Sequence, residues 1–307
     1  MIIKSLENIN LQEFTTCFNE AFSDYVVPFK VSPDYLAERF TGAGIQYNLS
    51  FGAFSQDEQV AFIMHGIEEH NDKKTAFDIG TGVIPKHRGE RLVAQIYNHA
   101  IPILKQHNVQ KCLLEVIQTN EKAIKAYSNL GFEIKRELVC FKGSIDFKPM
   151  AIHKKVCINT VSPNKFDWTM AHSFWNFAPS WEQSVQAILR NPHLYDVITI
   201  GKQDAVYGYA VINSKQGNVL QFGILKERRN QGLGHSLFHW IWKRHSVISI
   251  NNVDKRDIKS IQFLKRIGTL TYMLNNMKWR KSYNLYPFYV KNNKRKTIKV
   301  GKRSLKK

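Results

Sequence analysis

Apolar and polar residues follow a pattern that changes from helical to extended along the N-terminal part of the chain. Over residues 11–22 apolar side chains recur every three to four positions, which predicts an amphipathic helix capped by Asn8 or Asn10. Ser32-Pro33 has the form of a cap followed by a first-turn proline, which predicts a second helix. Polar breaks then separate three predicted strands of an antiparallel meander: 49–54, 59–67 and 74–83. Two helices followed by a sheet are therefore expected.

A loop suited to anion binding joins the last of these strands to a helix. The stretch from Asp78 to Val93 passes from strand residues through a polar loop into a helical pattern, in which Pro102 indicates a kink or an early end. The first turn of a helix has backbone N–H groups without intrahelical partners and a partial positive charge, so a diphosphate can bind there directly. Arg88 and Arg91 would add positive charge.

A second part of the chain repeats this order of elements. Ser180-Trp-Glu-Gln183 is a capping box that predicts another helix. Strands are then predicted at 195–200, 205–213 and 217–225. The shift that places Gly82 on Gly223 also places Arg88 on Arg229, and a helical pattern follows both arginines. Agreement of strand, loop, arginine and helix in the same order predicts two copies of one unit.

Both loops resemble the acyl-CoA-binding loop of the GNAT N-acetyltransferase superfamily. The pattern of that loop is Arg or Gln, two residues, Gly, one residue, and then Gly or Ala. The second copy matches it fully, with Arg229, Gly232 and Gly234. The first copy matches at Arg88, but Arg91 and Val93 stand where the family has its small residues.

A second motif of this family follows the apolar strand predicted at 112–117. Asn120, Ala123, Tyr127 and Gly131-Phe132 are spaced as in the helix that closes the GNAT cofactor site. Asn120 can cap this helix, and Gly131 can supply the left-handed residue that ends it. In the second copy the corresponding positions hold Asp257, Ser260 and Leu264, so the tyrosine is missing.

The resemblance implies an α/β (α+β) fold of two GNAT-like acyl-CoA N-acyltransferase domains, each a mixed, mostly antiparallel sheet flanked by helices. We assign an N-terminal domain to residues 1–145, a linker to 146–155, a C-terminal domain to 156–285 and a basic tail to 286–307.

The resemblance also implies transfer of an acetyl group from acetyl-CoA to a primary amine. The departing thiolate, with a pKa of about 8.5 by analogy with cysteine, can take a proton from a phenol of pKa about 10, and Tyr127 is the candidate acid. An amine of pKa ~10.4 must lose a proton, for which Glu115 and Asp78 are the candidate bases. A backbone N–H near Val83 or Ile84 would stabilise the oxyanion.

The candidate acyl-CoA contacts lie in both halves. In the first half they are Val83, Ile84, Arg88, Gly89, Glu90, Arg91, Leu92, Val93 and Asn120. In the second half they are Arg229, Gln231, Gly232, Leu233 and Gly234. Because Leu264 cannot replace a hydroxyl group, whereas Arg91 can point outward from a helix start, we place catalysis in the first half. Binding of CoA by the second half remains open.

Composition and charge limit the other functions. The four cysteines have no metal-ligand spacing, so no metal is assigned. No apolar run is long enough to span a bilayer, and the first residues do not form a signal peptide, so a cytoplasmic location is expected. Of the net charge of +19, residues 291–307 contribute +9, with nine basic residues and no acidic one, and the other 290 residues form a mildly basic body with a charge of +10. Nucleic-acid contact through this tail is an alternative that we do not favour. The main alternative is a non-catalytic tandem module that binds acyl-CoA or a partner.

Overall fold

The structure, a computed structural model, describes residues 1–25, 30–70, 72–144, 156–203, 205–268, 271–272 and 279–284. We call residues 1–144 the first half and residues 156–284 the second half. The expected linker at 146–155 and the basic tail at 286–307 lie outside the described residues.

Each half contains helices and strands in the same order. The elements of the first half are β1 (Ile2–Ser5), α1 (Leu11–Ala21), α2 (Pro33–Ala43), β2 (Phe51–Ser55), β3 (Glu58–Glu69), β4 (Lys74–Val83), α3 (Leu92–Gln106), β5 (Lys111–Ile117), α4 (Glu121–Asn129) and β6 (Glu133–Gly143). Those of the second half are β7 (Cys157–Val161), α5 (Trp168–Phe174), α6 (Val185–Arg190), β8 (Asp196–Lys202), β9 (Ala205–Asn213), β10 (Asn218–Ile224), α7 (Leu233–Trp242), β11 (Ile248–Asp254), α8 (Ile258–Arg266), β12 (Thr271–Tyr272) and β13 (Trp279–Asn284).

Helix caps explain where most of the helices begin. The Asn10 side chain accepts hydrogen bonds from the first turn of α1, Ser32 caps α2 with a proline directly after it, and Asn120 caps α4, as the sequence predicts. The prediction that a capping box at 180–183 begins a helix is wrong. Those residues form a short 3₁₀ turn, and Ser184 caps α6 instead. Pro102 does not end α3, which continues to Gln106.

The strands confirm the predicted fold class and add one unexpected connection. Each half is a mixed, mostly antiparallel sheet flanked by helices. In the described part of the chain, however, the two sheets join into one, in the order β1-β2-β3-β4-β5-β13-β6-β11-β10-β9-β8-β7. Strand β13 of the second half pairs with both β5 and β6, and β6 of the first half pairs with β11. The halves therefore share strands at their junction.

Side chains also cross between the two hydrophobic cores. Val139 and Phe141 of β6 are buried in the core of the second half, and Trp181 is buried in the core of the first. The Trp181 ring stacks on Phe77, with a centroid separation of 5.1 Å, and its Nε1–H donates to the Ala43 carbonyl at 2.9 Å. Each core is thus completed by the other half.

Both halves contain the same opening between two parallel strands. Pairing of β4 with β5 ends at Asp78 and Leu114, and pairing of β10 with β11 ends at Val219 and Ile250. The next residue of each longer strand, Ile79 in β4 and its equivalent Leu220 in β10, forms a β-bulge. Beyond these bulges β4 and β10 lack a parallel neighbour, which leaves a gap in each half. No helix among the described residues is long and apolar enough to cross a membrane.

Candidate active site

A cavity of about 1330 Å³ opens at the gap of the second half. Its walls are the end of β10, the loop at 226–232, the first turn of α7, the adjacent side of α8 and the segment at 174–179. We call it the second-half cavity. Pockets for small molecules usually measure about 300–1,000 Å³, so this cavity has room for a large ligand and a second molecule.

The loop at the mouth of this cavity has a backbone shape that favours glycine. Asn230 and Gly232 are left-handed, with φ of 60° and 78°. Gly232 is the N-terminal flanking residue of α7, and a Cβ on it would meet no atom within 4 Å. A Cβ on Gly234 would lie 3.1 Å from the Phe263 ring. The first backbone N–H groups of α7, which an α-helix leaves without intrahelical partners, therefore face the cavity where two glycines stand.

The loop of the first half has the same backbone shape with different residues. Gly89 and Arg91, the equivalents of Asn230 and Gly232, have φ of 89° and 57°. A left-handed conformation costs an ordinary side chain roughly 1–2 kcal/mol, so Arg91 retains the shape of the loop at some cost in stability. The Arg91 side chain is exposed, in keeping with the expectation that it points outward, while Val93 is half-buried. Of the other predicted contacts in this loop, Glu90 lies against His87 and Leu92 is buried.

Arg88 and Arg229 make matching hydrogen bonds to the protein itself. Arg88 Nε donates to the Val83 carbonyl and Arg229 Nε to the Ile224 carbonyl, at 3.2 and 3.0 Å. Their Nη2 groups donate to the last residues of α1 and α5, the carbonyls of Ala21 and Phe174. These bonds fasten each loop to the helix behind it.

Both arginines make further side-chain hydrogen bonds. Arg88 forms a two-point ion pair with Asp24, whose pKa is lowered by the hydrogen bond from Arg88, and Arg229 Nη1 donates to Asn176. These bonds show that both arginines help to shape the loop. Arg229 also lines the second-half cavity, and contact of Arg88 and Arg229 with phosphate stays a prediction.

Residues 5–132 match the model of the acetyltransferase (GNAT) family. The first half belongs to the GNAT family. Membership of this family indicates N-acetyltransferase-type activity. No functionally curated protein sequence matches the chain.

The chain is similar along its length to solved GNAT structures. A GCN5-related N-acetyltransferase from Sphaerobacter thermophilus has a TM-score of 0.65 at 12% identity, with 92% of this chain and 95% of that chain covered. A putative acetyltransferase from Pyrococcus horikoshii has a TM-score of 0.63 at 10% identity, with coverages of 93% and 89%. A tandem GNAT protein from the clavulanic acid biosynthesis pathway has a TM-score of 0.65 at 11% identity, with coverages of 92% and 98%. At these identities the likeness establishes the fold.

The predicted acid and one predicted base of the GNAT first half contact each other in its core. Asp78 Oδ2 accepts hydrogen bonds from the hydroxyls of Tyr127, Tyr97 and Thr81, at 3.3, 2.9 and 2.6 Å. Burial raises the pKa of Asp78, and burial together with the charge of Asp78 raises the pKa of Tyr127 well above its usual range. Tyr127 is only 8% exposed. In this arrangement its hydroxyl is directed to a buried carboxyl group.

The backbone N–H groups at the end of β4 divide between the two sides of the strand. Ile84 N–H donates to the Val60 carbonyl at 3.0 Å, so it is not free to hold an oxyanion, contrary to one of the two predicted positions. Because backbone groups alternate in direction along a strand, Val83 N–H points into the gap. The second half repeats this arrangement: Leu225 N–H donates to the Tyr207 carbonyl at 2.9 Å, and Ile224 N–H faces the second-half cavity.

The other predicted base, Glu115, reaches across to the second half. Its Oε2 atom accepts a hydrogen bond of 3.0 Å from Asn252 Nδ2, and Asn252 also donates to Ser180 Oγ at 3.0 Å. Asn252 has a left-handed backbone, with φ of 61°, and lines the second-half cavity. Glu115 is thus bonded to a residue of the second half that lines that cavity.

Several cavity residues were not predicted from the sequence. Gln221 is buried at the gap, where its side chain accepts from the Tyr209 hydroxyl at 2.8 Å and donates to the Gln183 carbonyl at 2.5 Å. Arg136 of the first half and Asp254 also line the cavity. None of these residues belongs to a local motif, so the sequence carried no signal for them. Within the described ranges no three His, Cys, Asp or Glu side chains are grouped to hold a metal.

Proposed function

We propose that the protein is an N-acetyltransferase that binds acetyl-CoA in the second-half cavity and transfers the acetyl group to a primary amine. The observation that carries this proposal is the position of the cavity. It coincides with the strand gap, the left-handed loop and the open start of α7, where Gly232 and Gly234 leave the backbone accessible. A diphosphate can accept hydrogen bonds from those amides.

The charge around the mouth of the cavity suits the phosphates of CoA. The basic residues that line it near the loop are Lys226, Arg228, Lys259 and Arg266. Cations that converge on a cleft raise the local concentration of an anionic ligand and speed its association. The cofactor-binding role predicted for Gly232, Leu233 and Gly234 is retained in this proposal, while Arg229 acts by holding the loop in place.

The thioester would lie along the unpaired edge of β10. Phe222 and Ile224 direct their N–H groups into the gap, because the intervening Gly223 and the following Leu225 pair with β9. An N–H group held in this way can stabilise the oxyanion that forms when the amine attacks the carbonyl carbon. The amine nitrogen forms a new bond to that carbon, and the carbon–sulfur bond then breaks.

Proton transfer in the second half would use water. The position that corresponds to Tyr127 holds Leu264, which is fully buried, so α8 supplies no phenol to the leaving sulfur. A thiol of pKa about 8.5 is a good enough leaving group to depart as a thiolate and to take its proton from solvent. The attacking amine, with a pKa of ~10.4, must deliver its proton to water as well.

The first half is the alternative place for catalysis, with Tyr127 as acid and Glu115 or Asp78 as base. Two observations argue against catalysis in the first half. The Tyr127 hydroxyl is buried against Asp78, and Glu115 accepts a hydrogen bond from Asn252. A tandem module that binds acyl-CoA without turnover is favoured by one observation, the replacement of the tyrosine by Leu264 in the half that has the cavity.

A pair of matched substitutions tests where CoA binds. Gly234→Val introduces the residue found at the equivalent first-half position, and its Cβ would press on Phe263 and narrow the approach to the start of α7. The control is the reverse change, Val93→Gly. Calorimetric titration with acetyl-CoA should show binding weakened about tenfold or more by Gly234→Val and unchanged by Val93→Gly. The opposite result would place the cofactor in the first half, and binding without acetylation of any amine would support the non-catalytic module.

A further inference from the structure

Three charged residues form a cluster at the wall of the second-half cavity. Asp254 lies at the end of β11, with a side chain that is 2% exposed. Arg136 Nε donates to Asp254 Oδ2 at 3.0 Å, and Arg256 donates to both carboxylate oxygens, through Nε at 2.9 Å and Nη2 at 2.7 Å. Two guanidinium groups therefore surround one carboxylate, which leaves a net charge of +1 on the cluster.

The Asp254 carboxylate cannot bind an ammonium group. Besides the three bonds from the arginine side chains, its Oδ1 atom accepts one from the Arg256 backbone N–H at 2.9 Å. Four bonds use the lone-pair positions of a carboxylate. Burial raises the pKa of Asp254, but the hydrogen bonds from Arg256 and the nearby positive charge of Arg136 outweigh it, so the net shift is downward and the group stays ionised. The acid holds the two arginines in place.

Arg136 keeps hydrogen-bond donors for a ligand. It belongs to β6 of the first half but lines the second-half cavity, and 25% of its side chain is exposed. Its Nη2 group donates to the Ala178 carbonyl at 3.0 Å. A guanidinium has five N–H groups, and the bonds to Asp254 and Ala178 use two of them. The others have no protein acceptor within the described part of the chain. The Arg136 guanidinium is thus fixed by Asp254 and Ala178, and its remaining N–H groups are available to a ligand in the cavity.

Given the proposed function, we propose that Arg136 recognises a carboxylate on the amine acceptor, so that the substrates are amino acids or other aminocarboxylates. A planar guanidinium matches a carboxylate with two parallel hydrogen bonds, which fixes orientation as well as affinity. A single excess positive charge balances one carboxylate and would leave a phosphate dianion undercompensated. The first half would in this way select the acceptor for the reaction centre of the second half.

The experiment compares acceptors that differ only in this group. Initial rates with acetyl-CoA are measured for glycine, lysine and glutamate and for their α-carboxamides, with the wild-type protein, Arg136→Gln and Arg136→Lys. The wild type should prefer the carboxylates by about tenfold or more in kcat/KM, the usual size of a hydrogen bond to a charged group. Arg136→Gln should bring this ratio near one, mainly through KM, and Arg136→Lys, which keeps the charge beside Asp254, should give an intermediate ratio.

A matched control removes one positive charge from the neighbouring ion pair, between β6 and the residue that follows β11. Lys255 pairs with Glu137 at 2.7 Å outside the cavity, so Lys255→Gln should keep the carboxylate preference of the wild type. Melting temperatures and acetyl-CoA titrations are recorded for every variant. A wild type that binds acetyl-CoA but shows no carboxylate preference, or acetylates none of these amines, overturns the assignment of Arg136, as does an equal loss for both acceptor types in Arg136→Gln. A wild type that does not bind acetyl-CoA overturns the proposed function itself.

Discussion

The hydroxyl of Tyr127 donates a hydrogen bond of 3.3 Å to Oδ2 of the buried Asp78. Tyr127 belongs to the hydrophobic core of the first half, and its counterpart Leu264 belongs to that of the second. Both positions therefore pack the helix after the parallel strand against the sheet. In the first half the polar end of the side chain is satisfied within that core and not in an open site.

Removal of this hydroxyl should affect stability more than catalysis. Tyr127→Phe keeps the ring and loses the hydrogen bond to Asp78, so we expect a loss of about 1–3 kcal/mol in the free energy of unfolding. Because the proposed transfer takes place in the second half, kcat should change by less than about threefold. Denaturant titration and steady-state kinetics measure the two effects. A fall of ~10²-fold in kcat at unchanged CoA affinity, the scale expected for a lost general acid, would instead place catalysis in the first half.

Asp78 should make the stability of the first half depend on pH. Its pKa is raised above 3.8 by burial, so the folded state binds the proton more tightly than the unfolded state. This contribution to stability is complete below the unfolded pKa and is lost as the pH rises through the folded pKa. Asp78→Asn should remove that fall, which melting curves from pH 4 to pH 8 would reveal.

Asp24 serves as a control, because its pKa is shifted in the opposite direction to that of Asp78. Its pKa is lowered by the hydrogen bond from Arg88, so any stability from that pair is present above pH 3.8 and is lost as the pH falls further. Asp24→Asn should therefore leave the fall in stability between pH 4 and pH 8 unchanged. The same pH profile for wild type and Asp78→Asn would contradict the burial of an ionisable Asp78.

Trp181 should contribute strongly to the stability of the contact between the two halves. Trp181→Ala removes a buried ring that stacks on Phe77, together with its hydrogen bond to the Ala43 carbonyl, and should cost roughly 3–5 kcal/mol. In a calorimetric scan the single transition should broaden or split as the halves lose cooperativity. Trp242, which is 36% exposed, provides the comparison, since Trp242→Ala should cost less than about 1 kcal/mol. Equal losses in the two variants would show that Trp181 does not couple the halves.

Two truncations separate the role of the basic tail from that of strand β13. Deletion of residues 291–307 removes nine basic residues and little apolar surface, so the melting temperature and acetyl transfer should stay nearly unchanged. Deletion of residues 279–307 also removes β13 and exposes the backbone edges of β5 and β6, so it should lower stability and promote aggregation. Salt-sensitive RNA binding that vanishes with the shorter deletion would assign the tail a nucleic-acid role.

Local signals in the sequence predicted the elements well. The strands at 74–83 and 205–213 have the predicted bounds, and the caps at Ser32 and Asn120 are present. These features depend on neighbouring residues, such as a side-chain oxygen within reach of the next amides or an alternation of apolar positions. The helix predicted from the capping box at 180–183 does not form there, because Trp181 packs in the core of the first half. That contact is with residues far away in the sequence, so the local pattern could not predict it.

The site depends on contacts that join distant parts of the chain. Glu115 lies on the predicted strand, but it accepts a hydrogen bond from Asn252 in the other half. Arg136 reaches a cavity whose other lining residues begin at Phe174. No spacing rule connects such residues. The glycines at 232 and 234 were the clearest sequence indication of the second-half cavity, and the complete helix motif around Tyr127 directed attention to the first half instead.

The shared strands have a consequence for the order in which the protein is made. Strand β5 leaves the ribosome about 160 residues before β13, its neighbour in the sheet. At roughly 5–20 residues per second, the nascent first half waits on the order of ten to thirty seconds with unpaired edges on β5 and β6. Unpaired strand edges of this kind favour aggregation until they are covered. A gene fragment that ends at residue 145 encodes a domain that lacks one of its own central strands.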